Sequence, residues 1–230
     1  ASGAGLGGAL AILGTRILGQ YDPYQDPPRL ILVAPNVLQV ERELNLPASD
    51  FRLWICLHEQ THRVQFENAP WFVDHIVSLA GRLMAAEDEG IDWAKLVRLR
   101  DAKPGPEVVV QLLGDDAEAA LDEITAVMSL LEGHADVMMD RVSSEVISTV
   151  PSIRRAFNRR RSKNLPKLSQ MIGLETKLTQ YQDGAKFCSR VIAAAGVSQL
   201  NRAFERPENL PTIAELHDST AWISRVSDGA

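Results

Sequence analysis

Apolar residues recur along most of this chain at intervals of three and four, the spacing of a helix that buries one face. The clearest run lies between Ser49 and Ala69. At 3.6 residues per turn, Phe51, Trp54, Ile55, His58, His62, Gln65 and Phe66 fall on one face. Leu53, Leu57, Thr61 and Val64 widen the apolar side. Arg52, Cys56, Gln60, Arg63 and Glu67 form a narrow polar strip, with Glu59 at its margin. Ser49 or Asp50 is the expected N-cap, and Pro70 is the expected stop. Further helices are predicted over Asn36–Leu44, Trp71–Met84, Ile91–Leu99 and Asp116–Ser143. Two more are expected over Leu168–Ala195, either side of Asp183-Gly184, and a loop with a short terminal segment closes the chain.

Strand signals are few. Leu30, Ile31, Leu32 and Val33 in a row predict a short buried strand over Arg29–Ala34, after a Tyr/Asp/Pro turn region at Gln20–Pro28. Val108–Leu113 fits strand or helix. The pattern therefore predicts a mainly α chain with a small β-sheet, an α+β fold. It reads as one domain over 1–230, with key helices at about 50–69 and 116–143 and a helical C-terminal part at about 152–226.

Composition narrows the function. Residues 3–8 fit G-x-G-x-x-G, but only two residues precede them and no βαβ alternation follows. A small-residue helix over about Leu6–Leu18 is the reading adopted, not a dinucleotide site. A net charge of −6 and a pI near 5.4 speak against nucleic acid as the partner. The six basic residues in Arg154–Lys163 read as a solvated helix face. No apolar run is long enough to span a bilayer. Two cysteines, Cys56 and Cys188, make no disulfide framework, so a reducing compartment, the cytoplasm, is the default expectation.

The chemistry sits on the first long helix. His58, Glu59 and His62 spell H-E-x-x-H. Residues four apart stack one turn above another, so the two imidazoles can share one ion. Glu59 stands roughly 100° round the helix, close enough to reach a water on that ion without ligating it. The second long helix carries Glu132 and Asp136 on a Leu/Met face. A carboxylate there is costly unless it is paired or bound to metal. Glu132 is therefore the expected third ligand of one Zn²⁺, and Asp136 is placed to accept the N–H of a ligating histidine. His134 is the competing third ligand, on roughly the opposite side of that helix. His75, alone on an apolar stripe, reads as a core or boundary residue. For a donor to a developing oxyanion, Tyr181, His217, Tyr21 and Arg63 all qualify on chemistry alone.

The pattern H-E-x-x-H … E-x-x-x-D resembles the gluzincin metallopeptidases. More narrowly, the chain resembles the bacterial zincin-like metallopeptidase type 2 family, often labelled as associated with deazaflavin-coenzyme biosynthesis. The stretches that carry the likeness are Gly19-Gln-Tyr-Asp-Pro-Tyr, Leu32-Val-Ala-Pro-Asn, Leu57-His-Glu-Gln-Thr-His-Arg-Val-Gln-Phe, Leu131-Glu-Gly-His-Ala-Asp and Pro207-Glu-Asn-Leu-Pro-Thr. The resemblance implies a zincin-like fold and hydrolase activity, and it leaves the substrate open. The expected function is zinc-dependent hydrolysis of a peptide or protein, with Glu59 as general base. A silent zincin that keeps zinc as a clamp for binding, or a hydrolase of non-peptide bonds, is the alternative.

Overall fold

The computed structural model describes residues 17–89, 114–142, 145–160 and 175–229. The helices expected at Leu6–Leu18 and Ile91–Leu99 and the ambiguous Val108–Leu113 lie wholly or mostly outside them. What is described is mainly helical, with one two-stranded antiparallel sheet. Contacts divide the chain into two compact units, 1–64 with 138–164 and 65–137 with 165–230.

In the first unit, β1 (Gly19–Asp22) pairs antiparallel with β2 (Arg29–Leu32), Gly19 opposite Leu32 and Asp22 opposite Arg29. The sequence reading placed β1 in a turn and expected β2 to be buried. Instead Ile31 and Leu32 are each 42% exposed. Four apolar residues in succession alternate sides of a strand, so a short hairpin cannot bury them all on one face. Helix α1 (Ala34–Leu44) begins with Pro in its first turn and ends on Asn45 in the left-handed conformation, φ 49°. Its Val37 and Val40 are buried.

Helix α2 (Ala48–Asn68) carries the His-Glu-His motif. Ser49 and Asp50 fall inside its first turn, where the carboxylate suits the helix dipole. Asp50 also accepts a 2.7 Å hydrogen bond from Thr149, at the start of the helical stretch 150–160. Phe51, Trp54 and Ile55 pack with Val37, Val40, Met139, Ile147, Val150 and Ile153 into one core. Phe157 adds ring contacts to Phe51 and Trp54 at 5.8 and 4.9 Å. Each fully buried side chain of this size contributes about 1.5–3 kcal/mol. Leu53 and Val64, read as extending the apolar side, are 41% and 52% exposed.

The second unit holds α3 (Phe72–Glu89), most of α4 (Asp115–Met139), α5 (Glu175–Asn201), α6 (Ile213–His217) and α7 (Ser219–Asp228). Asp115, Asp116 and Glu118 crowd the first turn of α4, the end of a helix that favours negative charge. Arg82 of α3 reaches Asp116 and Glu123 of α4, and its hydrogen bond to Asp116 holds that carboxyl below its usual range. Asp183-Gly184 was expected to separate two helices, yet α5 runs straight through it. A Cβ on Gly184 would lie 1.9 Å from the carbonyl oxygen of Ser129, and one on Gly133 would lie 2.2 Å from the carbonyl carbon of Gly184. Glycine here serves backbone-to-backbone contact of two helices, not a turn. The break in α5 comes later, at Gly196 with φ 85°. The C-terminal part closes through Trp222, whose ring meets Phe187 at 5.3 Å and whose indole N–H donates to Asn209 at 2.8 Å. Among the described residues no helix is long and apolar enough to cross a membrane.

Candidate metal centre

The i, i+4 spacing of α2 brings His58 and His62 edge to face, with ring centroids 4.8 Å apart and their Nε2 atoms 3.2 Å apart. Two nitrogens each about 2.0–2.1 Å from one tetrahedral ion stand roughly 3.3 Å apart. The helix alone therefore presents this nitrogen pair at close to the chord that a shared ion requires. Trp54, one turn earlier, stacks on His58 at 5.8 Å and 19°, which gives the pair an apolar wall.

Glu132 stands half-buried on α4. One ligand atom from each of His58, His62 and Glu132 lies within 4.8 Å of the others. Two imidazole nitrogens and a carboxylate oxygen form a set that suits zinc, and three protein donors leave a further position for water or substrate. The residues present fit the ion.

Glu59, expected at the margin of the polar strip, is 5% exposed. It lies against the first residue of β1. A Cβ added to Gly19 would come within 2.7 Å of Glu59 Cγ and 2.8 Å of its Oε1. The strand thus begins with a residue that has no side chain because the carboxylate of Glu59 occupies that space. The signal available in sequence was a glycine inside an extended stretch, which commonly marks close approach of another group.

His134, the competitor for third ligand, is 8% exposed and faces elsewhere. Its Nδ1 is 2.9 Å from the side-chain amide of Gln65, and its ring meets Phe204 at 5.1 Å. Asp136 is half-buried one turn beyond Glu132. Burial pushes the Cys188 thiol well up, and the charge of Asp136 adds to the shift. Of the residues considered for the oxyanion, Tyr21 lies in β1 opposite Leu30 and Arg63 is exposed. His217 is exposed, with Nδ1 3.8 Å from Asp183. Tyr181 lies on α5, its side chain outside the described residues. His75 meets Trp71 at 5.8 Å and borders a groove of about 610 Å³ with Asp122, Glu123, Pro207 and Leu210. Sequence reasoning gave no role to Gly19 and none beyond its helix face to Gln65.

The family described as zincin-like metallopeptidase matches residues 1–223. A crystal structure from Chloroflexus aurantiacus, presented as a candidate hydrolase with a novel fold, is similar at 32% identity and a TM-score of 0.70. The match covers 96% of this chain and 67% of that one. Among proteins of curated function none matches.

Proposed function

We propose, from the premise that this chain belongs to the zincin-like metallopeptidase family, that it is a zinc-dependent peptidase whose general base is Glu59. The observation that carries the reading is the grouping of His58, His62 and Glu132, with a buried glutamate next in sequence to one of them. His58, His62 and Glu132 would hold the ion. Bound there, zinc supplies Lewis acidity and lowers the pKa of water towards about 7.

The chain's own residues do the rest. Glu59 takes a proton from the attacking water at a carboxylate oxygen and later delivers it to the leaving amine. Its burial against Gly19 keeps that carboxylate in one place, so less freedom is lost when the substrate arrives. Trp54 beside His58 shields the pair from bulk water. A peptide is favoured over other acyl substrates because the strand that touches Glu59 belongs to a hairpin. An extended chain adds readily to a strand edge, and β1 would align its backbone past the base. Asp136 is assigned to orienting a ligating histidine.

The test compares wild type with Glu59→Gln by zinc analysis and by turnover of a mixed peptide library. Both proteins are expected to carry one zinc, and the variant is expected to lose activity by at least ~10²-fold. A wild type that holds zinc and cleaves neither peptides nor esters would favour the silent binding scaffold.

A further inference from the structure

Gln65 lies one turn beyond His62 on α2, and the hydrolytic reading gives it no task. It is 3% exposed, and its side-chain nitrogen has two partners. One is the carbonyl oxygen of Leu131 at 3.0 Å, and the other is Nδ1 of His134 at 2.9 Å. A carbonyl only accepts, so the atom facing it is the amide NH₂, and its second hydrogen goes to His134. His134 therefore accepts at Nδ1, which puts its own hydrogen on Nε2. The carbonyl of Leu131 belongs to the peptide group that joins Leu131 to Glu132.

We infer that Gln65 is a positioning residue for the third metal donor, clipping α2 to α4 at the peptide bond of Glu132 and so fixing where that carboxylate stands. The inference rests on the zinc reading above. Three features support a purpose beyond packing. A glutamine is costly to bury unless its hydrogens are used, and here both have acceptors on α4. The two acceptors bracket Glu132 at positions 131 and 134, so the clip fixes both the height and the rotation of that turn. Gly133 between them leaves no side chain to hold the turn from the other face, where the backbone of α5 lies against it.

The test measures zinc affinity by chelator competition, together with the melting temperature of the metal-free protein. Gln65→Leu keeps the bulk and removes both donors, and Gln65→Met serves if the first variant does not fold. Phe187→Leu, a fully buried core change elsewhere in the same unit, serves as a stability control. The Gln65 variant is expected to bind zinc about ten- to a hundred-fold more weakly. Phe187→Leu should lower the melting temperature yet bind zinc within about twofold of wild type. Loaded with cobalt, the Gln65 variant should show weaker visible absorption than wild type, as a loosened carboxylate donor predicts. Wild-type zinc affinity in the Gln65 variants would overturn the inference, as would an equal loss in Phe187→Leu. A wild type that binds no zinc fails the functional reading beneath it, a separate result.

Discussion

Helices α2 and α4 both carry side chains of the proposed metal site, yet they present them by opposite means. On α2 the geometry is local: the turn of the helix sets His58 and His62 apart by 3.2 Å at Nε2, and no residue distant in sequence is needed. On α4 it is non-local. Glu132 is placed by what the helix touches, through glycine contacts to α5 on one side and the Gln65 amide on the other. Half of the site should therefore survive most distant substitutions, and the other half should be sensitive to those that move these two contacts.

The largest effect is expected where α4 meets α5. Valine at Gly184 would drive a side chain into the carbonyl of Ser129, which a helix backbone cannot vacate. Gly184→Val should cost at least about 3 kcal/mol and loosen the second unit, read as a lower denaturation midpoint. The comparison breaks if the variant melts like wild type.

Gly19→Ala sharpens the other side of it. The obstruction there is the flexible end of Glu59, not backbone, so the fold should lose no more than about 1.5 kcal/mol. Glu59 must shift, however, and turnover should fall about 10²-fold with zinc content unchanged. Retained turnover would show that the base tolerates displacement.

How much is legible in sequence divides along the same line. The histidine pair and its glutamate can be read because three residues within one helix carry their own geometry. The mainly helical fold follows from periodicity for the same reason, and the family resemblance drawn from the motifs holds. Glu132 is readable only indirectly, through the cost of a carboxylate on an apolar face. Gly184 was misread because a glycine marks a turn and a close helix contact with the same letter. Gly19 and Gln65 were given no task because their partners lie 40 and 66 residues away or more in the chain. The exposed Ile31 and Leu32 show the converse, an apolar run that local pattern cannot assign to a face.

The smallest effect lies at the C-terminal helices, away from both donor sets in sequence. Partial burial works to raise Glu215, but the hydrogen bonds from Arg225 and Thr212 outweigh it and hold the carboxyl below its ordinary 4.5. A carboxylate with a depressed folded pKa adds stability above its unfolded value and loses it as pH falls through the folded one. Melting temperature should therefore drop from about pH 4.5 downward, and Glu215→Gln should flatten that part of the profile while leaving zinc binding unchanged. A profile of unchanged slope would remove Glu215 from the account.

Zinc titration of the metal-free protein, in wild type and in Glu132→Ala, His62→Ala and His134→Ala, addresses the arrangement most directly. One zinc per chain is expected for wild type, with affinity reduced by orders of magnitude in Glu132→Ala and His62→Ala. His134→Ala should lose less, since it leaves all three donors present. Glu132→Ala binding zinc as wild type does would contradict the account at its centre.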